Sequence, residues 1–260
     1  MSNDEKIINS FYLQEEFNPE IWDYSDNPKK VKLKSEIRKR LIEVANVFID
    51  FLDTDLFVHD IIFVGSLVSY NWSEFSDFDI HILIDLNESE NKKLIEELFR
   101  LKKTVFNAAH DIRIKGYETE LYVQDLNEKN SIDGVYSILN NEWIKKPKRE
   151  EFKVNKKKLM SKVNQWMDII DGVLENASDE DLKTATDLIS KYRNKLRKYR
   201  TCGLQRGGEY SYENLVFKFL RRNGYISKLE NFKNKLVDKK LSMEQENVEW
   251  NRNSHTLIYL

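Results

Sequence analysis

Between Asp77 and Ile84, Phe78, Ile80, Ile82 and Ile84 share one parity, and Asp77, Asp79, His81 and Leu83 share the other. A period of two predicts a strand with one face in the core. Ahead of it, Ile61, Ile62, Phe63 and Val64 form a short apolar run closed by Gly65, which reads as a second strand ending in a sharp turn. A short helix is expected from Ser66 through Leu67, Val68 and Tyr70. The segment 112–125 is another strand candidate, with Glu118, Glu120 and Tyr122 on one parity and Leu121 and Val123 on the other.

Helical periodicity dominates elsewhere. Ile37, Leu41, Val44, Ala45, Phe48 and Leu52 form a one-sided stripe behind a capping Ser35. Residues 90–110 read as a helix, and 131–143 as a connecting helix. From Lys156 onward the chain reads as helical. Leu159, Val163, Trp166, Ile170 and Val173 mark one helix, and Ala185, Leu188, Tyr192, Leu196 and Tyr199 a second that starts near Ser178 and Asp181. Cys202–Ser211 reads as a glycine-rich loop, Ser211 as the cap of a third helix, and a last helix follows to about Lys240. The expected fold class is α+β: a small mixed sheet with flanking helices, then a helical C-terminal domain. The expected divisions are an irregular segment 1–32 wrapping over the surface, a sheet domain 33–144, a helical domain 145–242 and a tail 243–260, where the final HTLIYL could dock as a strand or short anchor.

The chain has 260 residues, enough for one large domain or two modest ones. No apolar run nears the roughly 20 residues that span a bilayer, and the first residues lack a signal-peptide pattern. Cys202 is the only cysteine, so no intrachain disulfide forms, and a cytoplasmic setting is expected. One cysteine and four scattered histidines argue against zinc. Charge is segregated: residues 1–139 hold 16 basic and 27 acidic side chains, residues 140–240 hold 25 and 14. A polyanionic substrate would complement that division.

Two aspartates two apart on a strand point to one face and repel each other unless a cation lies between them, and a hard divalent ion is the common solution. Gly65 and Ser66 open a turn whose N–H groups and hydroxyl suit a phosphate. A third carboxylate is expected from Glu120, which opens the most apolar part of its strand, with Glu118 as the alternative. His81 shares the aspartates' parity and reads either as a partner to a metal-binding carboxylate or as a core residue. Tyr122 and Trp72 are candidates to stack on a base. On the helix after Ser211, Asn214, Lys218 and Arg221 lie on one polar face; Lys218 and Arg221 are the leading phosphate-binding cations, with Lys191 and Arg193 in reserve.

Gly65-Ser66, a ten-residue spacer and Asp77-Phe78-Asp79-Ile80 resemble the signature of the polymerase-β-like nucleotidyltransferase superfamily. The phrases SDFDIHI, ELYVQD, GVYSILNNEW and ENLVFKFLRRNGYISKL are similar to uncharacterised nucleotidyltransferase-domain proteins of tailed bacteriophages, over roughly Leu33 to Leu241. The resemblance implies a catalytic domain at 33–144 and a substrate- or nucleotide-binding domain at 145–242. It implies two Mg²⁺ ions, or Mn²⁺, on Asp77, Asp79 and Glu120, and an NTP held by Gly65, Ser66, Lys218 and Arg221. Glu120 departs from the superfamily's usual aspartate. The expected reaction moves an NMP from an NTP to an acceptor hydroxyl with release of pyrophosphate. The expected acceptor is RNA, a tRNA 3′ end among the options, without a template. The alternatives are a protein, a small molecule or a signalling oligonucleotide, or a non-catalytic nucleotide- or RNA-binding module. A phage-encoded chain would act in the host cytoplasm; no membrane partner is expected, and the sequence leaves the oligomeric state open.

Overall fold

The computed structural model describes residues 2–24, 31–54, 57–86, 91–128, 134–149, 152–178 and 180–242. The chain forms two compact units, Met1–Val154 and Asn155–Leu260. The fold is α+β. The HTLIYL tail lies outside the described residues, and among those described no helix is long and apolar enough to cross a membrane.

The first unit runs α1 (Asn3–Asn9), β1 (Trp22–Asp23), β2 (Lys32–Leu33), α2 (Ser35–Leu52), β3 (Val58–Val64), a 3₁₀ turn (Ser66–Val68), β4 (Asp77–Ile84), α3 (Lys92–Ala109), β5 (Arg113–Ile114), β6 (Tyr117–Asp125), β7 (Val135–Ser137) and β8 (Glu142–Lys145). Its main sheet has the order β5-β6-β4-β3-β7-β8. β4 and β6 are parallel; every other neighbouring pair is antiparallel. The alternation in β4 is realised as expected: Phe78, Ile80, Ile82 and Ile84 are buried, and their neighbours of the other parity are half-buried. The apolar stripe of α2 also packs as read, although the cap position falls on Lys34, which makes no side-chain capping bond.

Burial of α3 rests on Phe99 and Phe106, with the Phe106 ring 5.0 Å from that of Phe48 on α2. β5 is only two residues long, so most of β6 has an open edge. The Asn107 side chain fills that edge: its amide donates to the Leu121 carbonyl and its oxygen accepts from the Leu121 N–H, both at 3.3 Å. An unpaired strand edge is a liability, and a carboxamide can mimic the missing strand locally. At its other end α3 is tied by an ion pair between Lys92 and the buried Asp125 that closes β6.

Two expectations fail here for the same reason. Residues 1–32 do not merely wrap the surface: α1 forms, and Phe17, Ile21 and Trp22 are core residues. The 131–143 segment is no helix where described but the hairpin β7–β8, turned at Asn141 with φ 56°. Both segments bury aromatics against each other. Trp22 stacks on Trp143 at 4.7 Å and meets Tyr136 edge-on at 5.1 Å, while Trp143 Nε1 donates to the Val31 carbonyl at 2.7 Å. Burial of large rings outweighs the weak local helical tendency.

The second unit is helical: α4 (Lys156–Ser178), α5 (Leu182–Gly207), α6 (Tyr212–Arg222) and α7 (Tyr225–Leu241). Asp181 caps α5 through the N–H groups of Lys183 and Thr184, and Ser211 caps α6 through Asn214 N–H. The expected loop at Cys202 instead continues α5 to Gly207. Gly203 permits this, because a Cβ there would collide with the Glu213 side chain and lie 2.8 Å from Ser211 Oγ.

The Trp22→Ala variant should lose about 3–5 kcal/mol of unfolding free energy, read by urea denaturation. Trp22→Phe should lose less, since most of the burial survives. For Asp125, burial pushes the carboxyl pKa up, but Lys92, Asn127 and the Leu86 N–H outweigh it and bring it to about 2. The folded value is below the unfolded one, so this carboxylate's contribution is complete above the unfolded value and disappears as pH falls from about 4 to 2. Lys92→Met should flatten the acid limb of the stability curve over that range.

Candidate active site

The site starts from one glycine. Gly65 ends β3 with φ 87° and ψ −164°, a conformation close to glycine-only. It faces Asp79 across the β3–β4 pair, where Val64 and Asp79 are register partners. A Cβ on Gly65 would run into Asp79 Oδ2 and stand 3.0 Å from Cγ. The glycine therefore opens the space that the Asp79 carboxylate occupies.

Beyond Gly65 the expected helix is a single 3₁₀ turn, closed by Val68 N–H on the Gly65 carbonyl at 3.3 Å and Ser69 N–H on that of Ser66 at 3.1 Å. Serines tie the two ends of the following loop together. Ser66 Oγ donates to Ser76 Oγ at 2.7 Å, and Ser76 Oγ accepts from Ser73 N–H at 3.0 Å. The N-terminal segment braces the same loop. Trp22 Nε1 donates to the Leu67 carbonyl at 2.8 Å, Gln14 N–H to that of Tyr70 at 2.7 Å, and Trp72 Nε1 to that of Glu16 at 2.8 Å. Trp72 is thus engaged in this brace.

β4 and β6 place the acids side by side. Their parallel register pairs Asp77 with Glu118 and Asp79 with Glu120, and continues with His81 beside Tyr122. All six share the face opposite the buried isoleucines. Glu120 stands next to the aspartate that Gly65 faces. Its environment differs from expectation: its side chain is 50% exposed, with Lys103 Nζ 3.8 Å from Oε2. Glu118 is bonded to Arg113. Parity alone could not reveal this, because the open edge of β6 leaves these carboxylates at solvent.

His81 makes its bond elsewhere than to a carboxylate: Nδ1 lies 2.6 Å from Gln124 Oε1. Burial lowers its pKa, opposed by the Gln124 bond and reinforced by the Lys103 charge. Lys103 also sits 5.1 Å from the centre of the Tyr122 ring, which meets His81 at 5.0 Å. Lys103 and Gln124 are site residues that the sequence did not mark. Their signal is tertiary, since α3 must first lie along β6.

The donors available to a cation here are all carboxylate oxygens, the set a hard divalent ion prefers, and the glycine leaves Asp79 room beside the turn. Asp77, Asp79 and the neighbouring Glu120 are the residues whose oxygens could hold such an ion. Among the described residues, no three His, Cys, Asp or Glu side chains are already gathered as a metal site. A cleft of about 560 Å³ lies at the far end of the strand pair, lined by Lys92, Glu96, Phe99, Tyr122, Asp125 and Asn127. It does not include Asp77 or Asp79.

Lys218 and Arg221 belong to the second unit. Lys218 is mostly buried and 3.5 Å from Glu209, while Arg221 is exposed. Burial lowers the Lys218 pKa; Glu209 opposes this, and Arg222 and Arg221 add repulsion. Arg200 joins them, its Nε donating to Asn214 Oδ1 at 3.1 Å and its guanidinium 4.6 Å from the centre of the Phe217 ring. Its pKa is lowered by burial and by Arg221. Asn214 does not share an exposed polar face with Lys218: it is fully buried, and donates to the Glu209 carbonyl at 2.6 Å. Of the reserve cations, Arg193 pairs with Glu230 and Lys191 is exposed.

Gly65→Ala should cost about 1–3 kcal/mol from backbone strain alone. It should also displace the Asp79 side chain, which a crystal structure of the variant would show.

No family model matches this sequence, and no curated protein matches it. Among solved structures, the STING-associated CdnE c-di-GMP synthase from Capnocytophaga granulosa aligns with 89% of this chain and 100% of its own at 14% identity. The TM-score is 0.23, a likeness too low to carry an argument about fold or activity.

Proposed function

We propose that the chain is a nucleotidyltransferase that moves an NMP from an NTP to an acceptor hydroxyl, releasing pyrophosphate, and that its acceptor is RNA. The observation that carries the reading is the pairing of Asp79 with Glu120, and of Asp77 with Glu118, on adjacent parallel strands beside the Gly65 turn.

Asp77, Asp79 and Glu120 are the residues that would hold Mg²⁺ or Mn²⁺; when bound, the ion neutralises phosphate charge and acidifies an attacking hydroxyl. The chain's own groups do the rest by positioning. The Gly65–Ser66 turn offers its N–H groups to phosphate oxygens; the Ser66 hydroxyl donates to Ser76 Oγ and would have to turn from that bond to reach a phosphate. Glu120 is the candidate to accept the hydroxyl proton at a carboxylate oxygen, and Lys103 offsets part of the charge of the acidic row. Within the second unit, Lys218, Arg221 and Arg200 outnumber the nearby Glu209, which favours a phosphate-bearing ligand.

The RNA acceptor is supported by charge. Met1–Val154 holds 21 basic and 30 acidic residues, while Asn155–Leu260 holds 21 and 14. A basic helical unit attracts a polyanion in a salt-dependent way.

Incubation with each α-labelled NTP, Mg²⁺ or Mn²⁺ and RNA should place label in the RNA. Asp77→Asn and Asp79→Asn should each lower transfer on the order of 100-fold or more without loss of fold by circular dichroism. Label in a nuclease-resistant or small-molecule product would move the acceptor away from RNA. NTP binding without any labelled product would sink the enzymatic reading. Lys218→Met should weaken NTP or RNA binding, and that loss should shrink as salt rises.

A further inference from the structure

The outer face of α3 breaks the usual amphipathic pattern. Leu94, Leu98, Leu101 and Val105 are 66%, 41%, 56% and 57% exposed. Their spacings of four, three and four make the a/d seam of a coiled coil rather than scattered surface leucines. On α2, Val47 and Phe51, one turn apart, are also exposed, at 54% and 38%. Phe51 lies against α3, with its ring 5.3 Å from that of Phe106 and Lys102 above it at 5.9 Å. The six side chains expose on the order of 500 Å² of apolar surface, near the top of what monomers show.

We propose that this face joins two copies of the chain, with α3 packed antiparallel to α3 of the second copy. The seam is self-complementary in that direction. A two-fold axis between Leu98 and Leu101 sets each Leu98 against Leu101 of the second copy, and each Leu94 against Val105. The charges beside the seam agree. Glu97 and Arg100 stand on opposite sides of the axis, 3.1 Å apart within one chain, so the antiparallel copy brings each Glu97 toward the other copy's Arg100. A parallel copy would set like charges level with each other. The apolar centre with a charged rim has the anatomy of a specific interface, and approaches the roughly 800 Å² per partner that a stable one buries.

Sedimentation equilibrium of the full chain tests this. It is run in reducing buffer, because the exposed Cys202 could link copies by itself. The expected result is a concentration-dependent species of twice 31.1 kDa. The pair Leu98→Glu and Leu101→Glu should raise the dissociation constant about tenfold or more, with helix content unchanged. Should that pair disturb folding, Leu94→Gln with Leu101→Gln gives the same readout without added charge. Glu97→Arg should weaken the dimer, and adding Arg100→Glu should restore it. A single 31.1 kDa species at every concentration overturns the proposal. So does a dimer that the seam variants leave intact, or a monomer that binds lipid vesicles through this face.

Discussion

The candidate site depends on there being no side chain at position 65. β3 must end and turn back where β4 begins, and Asp79 projects into the angle of that turn. Any Cβ would compete with the carboxylate for one volume, and the backbone there takes a conformation that L residues avoid. Hydrogen bonds hold the loop beside that contact. The serine bonds at 66, 73 and 76 fix the loop, and the indole of Trp22 holds its first turn from inside the core.

Parallel pairing of β4 with β6 turns two separate acidic pairs into one row. A parallel neighbour requires a crossover, and α3 supplies it, packing through Phe99 and Phe106 and sealing the β6 edge with Asn107. The same helix brings Lys103 to Glu120, so the crossover both aligns the acids and offsets part of their repulsion. Its remaining apolar stripe serves neither task, which is why that stripe calls for a partner.

The helical unit concentrates positive charge where α5 meets α6. Asn214, buried between Arg200 and the Glu209 carbonyl, holds that corner through hydrogen bonds that replace those lost to water. Burial disfavours charge on both Arg200 and Lys218, and Arg221 repels each of them.

Local pattern was enough to determine β4, the buried stripe of α2, the cap at Ser211, and the shared parity of Asp77, Asp79, Glu118 and Glu120, whereas of the capping pair read at Ser178 and Asp181 only Asp181 caps α5 and Ser178 ends α4. Each follows from backbone periodicity or from a side chain bonding its own neighbours. Tertiary packing decided the rest. Residues 134–145 became a hairpin because Tyr136 and Trp143 fill a space beside Trp22. Cys202–Gly207 stayed helical because Gly203 lets α5 lie against Glu213 and Ser211. Glu120 met Lys103, and His81 met Gln124, because sheet register and a crossover helix bring distant residues together. A sequence records the period of a strand and the chemistry of a residue. Which strand lies beside it is settled only when the whole core closes.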